Sequence, residues 1–216
     1  MRRLVFEKKA DSVWISHLDL MRIFQRAFRR AGVMLKHSQG FTPRAIVSIA
    51  LPLSVGTQSE CELLEFETEE DVPLTCEMLN EKLPEGIRVL DIAESSRKIR
   101  ELAYLRAELT LDYDNGITEE QTAQIEQLFQ RQQLTVEKHG KKGTVETDLI
   151  PMLKQCSIVR ASENAVKLEV LVCAQNPSLN PQLLVQALEA YLPELAPDDY
   201  DILRKEVYDA KMEIFR

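Results

Sequence analysis

Residues 15–32 read ISHLDLMRIFQRAFRRAG. Leu20, Ile23, Phe24, Ala27, Phe28 and Ala31 recur at steps of three and four, the spacing of one helix face. Arg22, Arg26, Arg29 and Arg30 recur at the same steps on another face. Ser16 is suited to the N-cap, and Asp19 stands three residues on, where a negative charge favours a helix start. Gly32 supplies the left-handed residue that commonly ends a helix. The spacing predicts one amphipathic helix over His17 to Ala31, with an apolar stripe and an arginine stripe.

Working outward, Arg3 to Trp14 reads as a first strand. Ser38-Gln39-Gly40-Phe41-Thr42-Pro43 reads as a loop. Ala45 to Leu53 and Cys61 to Thr68 read as two strands around a turn at Gly56. Pro73 opens a helix that runs to about Leu83, and Pro84-Glu85-Gly86 stops it. Ile87 to Ala93 reads as a last strand. The order β-α-β-β-α-β is the split βαβ, or ferredoxin-like, pattern.

The second half repeats that order. Leu102 to Tyr113 alternates as a strand, and Thr118 caps a helix to about Gln132. Leu134 to Lys138 is a short strand, followed by a basic loop through Gly143 and a short helix from Thr147 to Leu153. Ser157 to Ala161 and Ala165 to Ala174 form a hairpin. Asn180 and Pro181 start a helix to about Leu192, and Ile202 to Tyr208 closes the set. The expected fold is therefore α+β, with two tandem ferredoxin-like (βαββαβ) lobes at 1–95 and 101–216. The polar segment Glu94 to Arg100 links them.

Charge is unevenly distributed. The chain of 216 residues carries a net −8, yet residues 1–50 hold ten Lys/Arg against three Asp/Glu, a net of +7. A basic segment in an acidic protein points to a local anionic partner rather than to general polyanion affinity. Arginine forks bind phosphate or carboxylate in bidentate fashion, so the row Arg22, Arg26, Arg29, Arg30 suits a nucleic-acid strand or an acidic protein face. A solvated outer helix face accounts for the same row equally simply. Lys36, His37, Ser38, Gln39, Gly40, Phe41 and Arg44 form a second candidate anion-binding stretch. Lys138, Lys141 and Lys142, around His139 and Gly140, form a third. GKKGT lacks the spacing of a phosphate-binding Walker loop.

Catalytic signals are weak. His17 and Asp19 diverge by about 200° on a helix and make no direct dyad. They and His37 are the candidates for acid–base work. The four cysteines (Cys61, Cys76, Cys156, Cys173) show neither CxxC nor zinc spacing, so no metal and no cofactor is expected. They read as reduced thiols in a cytosolic chain. The N-terminal apolar run is too short for a signal peptide, and no run approaches the ~20 residues that span a bilayer. The expectation is a cytoplasmic protein with no membrane partner. The stacking motif of RNA-recognition sheets is missing, and aromatics are only 6% of the chain, so a broad base-stacking sheet is not expected.

The run Ile15 to Gly32, with Ser38-Gln39-Gly40-Phe41-Thr42-Pro43 and Leu51-Pro52-Leu53-Ser54-Val55-Gly56, resembles the bacterial radical SAM-linked family, a domain of unknown function numbered 2344. The resemblance is dense over the first 70 residues and looser beyond, including Thr147-Asp148-Leu149-Ile150-Pro151. It implies a stand-alone form of a domain otherwise fused behind, or encoded beside, a radical SAM enzyme. Such enzymes hold their cluster with CxxxCxxC, which this chain lacks. Together with the basic N-terminal segment and the tandem ferredoxin-like reading, this leads to the expectation of a non-catalytic accessory that binds RNA or an RNA-bearing substrate for a radical SAM partner. A protein adaptor docking an acidic face, or a stand-alone RNA-acting enzyme, are the alternatives. The family usually reads Asn-Pro-His after Gly-Phe. Thr42-Pro43-Arg44 stands here instead, which removes a histidine and leaves an anion-binding arginine. Tandem ferredoxin-like lobes serve RNA elsewhere, in CRISPR repeat-processing endoribonucleases and pseudouridine synthases, but that is analogy of fold alone.

Overall fold

The computed structural model describes residues 1–140 and 143–216. The chain divides into two compact units, Met1–Glu101 with Arg216, and Leu102–Phe215. Both are α+β with antiparallel strands.

In the first unit, β1 (Arg2–Lys8) pairs antiparallel with β3 (Gln58–Phe66) on one side and β4 (Ile87–Glu94) on the other. The short β2 (Val47–Ile49) joins the far edge of β3. The strand order is thus β4-β1-β3-β2. Leu4 and Phe6 of β1, with Leu64 and Phe66 of β3 and Val89 of β4, form one apolar face. Helix α1 (His17–Arg30) lies in the same core through Leu20, Phe24, Ala27 and Phe28, and the short α2 (Cys76–Asn80) contributes Leu79. The Phe6 and Phe24 rings meet edge-on at 4.7 Å, and Phe28 tilts against Phe66 at 4.7 Å. Edge and tilted pairs set the negative ring face of one against the positive rim of the other.

The ends of α1 follow the local sequence. Ser16 accepts from the Asp19 backbone N–H. At the other end, the Val33 N–H reaches the Phe28 carbonyl and the Gly32 N–H reaches that of Arg29. These are the paired bonds of a Schellman motif, with Gly32 at φ +78° in the left-handed region.

Several boundaries depart from the sequence reading. The first strand stops at Lys8, and Ala10–Trp14 is a 3-10 turn. The reason is Lys8, only 1% exposed, whose ammonium donates to the carbonyls of Val13 and Ile15 and curls the chain back. The strand expected over Ala45 to Leu53 shrinks to three residues, because only Val47 to Ile49 find partners on β3. The second helix begins at Cys76, not Pro73: Thr75 is its cap, accepting from the Met78 N–H.

In the second unit, β5 (Leu102–Asp112) pairs with β10 (Asp199–Asp209) and β9 (Ala165–Cys173), and β9 with β8 (Leu153–Arg160). The order is β10-β5-β9-β8. Helices α3 (Glu119–Phe129) and α4 (Gln182–Tyr191) complete the unit. Thr118 and Gln121 form a full capping box at the start of α3.

The expected loop and helix around residues 138–153 are corrected. β6 (Thr135–Gly140) and β7 (Gly143–Asp148) form a separate two-stranded hairpin, and only Ile150–Met152 is helical, as a 3-10 turn. Pairing across the hairpin overrides the helix-start signal of Thr147-Asp148. Asp148 instead accepts from the backbone N–H groups of Leu134 and Ile150. Among the described residues, no helix is long and apolar enough to cross a membrane.

Candidate functional site

Part of the basic N-terminal segment is neutralised within the fold. Arg3 is buried against Glu65 at 2.6 Å, Lys9 bridges Glu7 and Glu60, and Lys36 pairs with Glu67 at 3.1 Å. Arg2 donates to the Val72 carbonyl and lies over the Phe66 ring. Lys36 is thus held in an ion pair, though its side chain stays exposed. The helix arginines differ. Arg26, Arg29 and Arg30 are exposed and have no hydrogen-bond or ion-pair partner among the described residues, while Arg22 is held by Asp19 at 2.8 Å.

A cleft of about 480 Å³ opens along this helix. Arg22, Arg26 and Arg29 form one wall at i, i+4 and i+7, which share a face. Val33, Leu35 and Ala45 supply an apolar floor, and Gln25, Met34 and His37 complete the lining. No carboxylate is among the residues lining it. Its size suits a small ligand or one unit of a polymer. The floor is continuous with the core, since Val33 and Leu35 are both buried in it.

Two of the sequence candidates thus converge. The loop 38–44 rises from the cleft wall: His37 bridges to Ala45, the Ser38 N–H donates to the Arg44 carbonyl at 2.8 Å, and the Arg44 N–H donates to the Ser38 hydroxyl at 3.1 Å. Ser38, Gln39, Gly40, Phe41 and Arg44 are all exposed. Arg30 shares the helix but does not line the cleft.

The other candidates lie apart from this cleft. His17 is the first residue of α1, half-buried, and its Nδ1 is buried without a hydrogen-bond partner among the described residues. Asp19 serves the cap. Its carboxylate accepts from the Ser16 hydroxyl at 2.8 Å and from Arg22. Those two contacts, the Ser16 hydroxyl foremost, hold the carboxyl below the usual range. Neither residue lines the cleft. Lys138 is exposed in β6, while Lys141 and Lys142 lie outside the described residues.

What the sequence reading missed is the apolar floor. Val33, Met34, Leu35 and Ala45 follow no helical or strand period together, and pairings such as Leu35–Thr68 and His37–Ala45, with the backbone bonds Lys36 N–H to Glu67 and Glu69 N–H to Met34, fold them into place.

A smaller cavity of about 220 Å³ in the second unit is lined by Arg106, Gln155, Cys156, Ser157 and Glu169, among others. Burial, with Glu126 adding to it, pushes the Cys156 thiol up to about 12. At pH 8 it is protonated and a poor nucleophile. Iodoacetamide at pH 8 is expected to leave Cys156 unmodified in the folded protein and to alkylate it in urea, as read by peptide mass spectrometry. Among the described residues, no group of three His, Cys, Asp or Glu side chains is gathered to hold a metal ion.

A family model described as an uncharacterized protein conserved in bacteria, DUF2344, matches residues 2–181. The chain belongs to this family. No curated protein matches this DUF2344 chain. Among solved structures, it is similar to a chain in the crystal structure of a Cbf5–Nop10–Gar1 complex, at 8% identity and a TM-score of 0.56. That match covers 95% of this chain and 48% of the other, so the DUF2344 chain spans about half the length of its structural neighbour. An unknown protein from Galdieria sulphuraria is 10% identical over 94% of this chain and 96% of its own, at a TM-score of 0.25. The first likeness concerns fold alone, and the second is too low to support an argument.

Proposed function

We propose that this DUF2344 protein is a non-catalytic accessory that holds RNA, or an RNA-bearing substrate, for a partner enzyme of the radical SAM class. The observation that carries the reading is the cleft itself: Arg22, Arg26, Arg29 and His37 around an apolar floor, with no lining carboxylate. Guanidinium groups at helical spacing suit successive phosphates, and an apolar floor suits a sugar or base face. The radical SAM partner rests on the sequence resemblance described above. We also read each unit as a split βαβ pair of the ferredoxin-like kind. The strand orders β4-β1-β3-β2 and β10-β5-β9-β8 support that reading.

Electrophoretic mobility shift of single-stranded RNA across a salt series tests the function. Binding with a steep fall in affinity as salt rises is expected, because phosphate contacts release counterions. No shift at low salt overturns the reading. A salt-sensitive complex with an acidic protein, formed without RNA, would then favour the adaptor alternative.

Asp19 gives a sharper expectation. It pairs with Arg22, one of the arginines that line the cleft. Asp19→Asn should tighten RNA binding and steepen its salt slope by freeing Arg22. The same carboxylate supports the start of α1. Its folded pKa is depressed, so this support is present above the unfolded carboxylate pKa and is lost as pH falls through the folded one. Urea midpoints of the wild type and Asp19→Asn should therefore differ at pH 7 and converge in acid. A gap that persists at low pH would count against the capping role.

A further inference from the structure

Among the exposed large hydrophobic residues of the first unit, Phe41 is the most exposed. Its relative exposure is 111%, and it is the middle residue of the loop whose base, Ser38 and Arg44, is closed by two hydrogen bonds. Single exposed apolar residues are common on protein surfaces. Here the position sets this one apart. The loop springs from His37 and Ala45, which both line the arginine cleft. Three residues separate each root from Phe41, so its Cα lies within about 14 Å of theirs. Met34, on the same wall, is 54% exposed. Gly40 has φ +139°, backbone that other residues rarely adopt, and makes the bend just before the tip. Arg44 adds an exposed guanidinium at the base of the loop.

An exposed aromatic ring on a loop rooted in an arginine-lined cleft has the composition of a single-strand nucleic-acid site. Phosphates track the cations while a neighbouring base stacks on the ring. Duplex RNA offers no free base face for such a ring.

We propose that the loop 38–44 is a base-stacking finger, that Phe41 stacks on an unpaired base of the strand whose phosphates lie along Arg22, Arg26 and Arg29, and that the site therefore selects single-stranded over duplex RNA. This rests on the RNA reading above and names its substrate class. The finger needs no covalent step. It sets which part of an RNA is held beside the cleft.

The test uses the full chain and three probes: a fluorescent 12-nucleotide oligo(U), a 12-base-pair RNA duplex, and inorganic polyphosphate, which has charge without bases. Wild type should bind oligo(U) more tightly than duplex. Phe41→Ala should weaken oligo(U) binding by about 10- to 100-fold, the effect of losing one stacked base. Its salt slope and its affinity for polyphosphate should stay at wild-type values, and Phe41→Trp should restore binding. Phe41→Ala that binds oligo(U) as wild type does overturns the finger and leaves the arginine cleft standing. An equal loss for polyphosphate also overturns it, since the ring would then act on the shape of the cleft. Wild type that binds none of the RNA probes overturns the RNA reading and the finger together.

Discussion

Replacing Arg26 and Arg29 together by glutamate is expected to lower affinity for single-stranded RNA by about 100-fold or more. Hydrogen bonds to charged groups contribute about 1.5–3 kcal/mol each, and every 1.4 kcal/mol is a factor of ten. Both side chains line the cleft and neither has a hydrogen-bond or ion-pair partner among the described residues, so nothing internal offsets their loss. The slope of log affinity against log salt should flatten by about 1.4, because each single-strand phosphate contact contributes about 0.7. Arg30→Glu is the matched control. It makes the Arg-to-Glu reversal once rather than twice, in the last turn of the same helix and off the cleft. It should cost less than about 5-fold, from the weaker field alone, which screens over ~10 Å at 0.1 M salt. Both variants oppose the helix dipole in the last turn, so a dipole effect on helix stability appears in the control as well. Equal losses for the double variant and for Arg30→Glu would reduce the site to general charge and remove the cleft from the argument.

Gly86→Ala is expected to destabilise the fold by about 3 kcal/mol or more. Gly86 has φ +83°, and a left-handed conformation costs a residue with a Cβ about 1–2 kcal/mol. A Cβ there would also come to 2.4 Å from the Lys9 carbonyl oxygen and 2.9 Å from the Ser12 side chain. Those are the groups that lock this turn in place: the Gly86 carbonyl accepts from the Lys9 N–H at 2.8 Å and from the Ser12 hydroxyl at 3.0 Å. Separating them loses bonds of about 1 kcal/mol each. Gly32→Ala is the contrast, with φ +78° but nothing within 4 Å of its would-be Cβ. It should cost only the conformational part, about 1 kcal/mol. Urea denaturation of both variants measures the difference. Equal midpoints would mean that the close approach at Gly86 relaxes at no cost. The 3-10 turn held there leads directly into α1, so this lock helps to place the arginine helix.

Much of α1 was legible in the chain alone. Ser16, Asp19 and Gly32 mark its ends, and Arg22, Arg26 and Arg29 share a face because 3.6 residues make a turn. The β-α-β-β-α-β order of elements in the first half was legible for the same reason, since periodicity and caps are written within a few residues of where they act, but the second half carries the added strand β7, which was not. The helix expected to run to Leu83 ends at Asn80, ahead of Pro84-Glu85-Gly86, but Thr118 as a cap belongs to this class. So does the unusual composition of residues 38–44, although the exposure of Phe41 does not.

The tertiary structure decided what those residues are available to do. Lys36 looked like a free cation and is paired with Glu67, thirty-one positions away. Asp19 looked like a candidate acid and is held by Ser16 and Arg22. Lys8, inside a polar stretch, is buried and ends the first strand by gathering two carbonyls. Residues 143–148 became a strand because β6 lay within reach to pair with it, where local signals pointed to a loop and a helix start. The cleft floor of Val33, Leu35 and Ala45 exists because bridges to Thr68 and between His37 and Ala45 fold that stretch back beside α1. Backbone spacing and end signals are local properties, and one chain carries them openly. Burial, ion-pair partners and cavity walls depend on residues distant in the sequence, and only the folded chain brings those together.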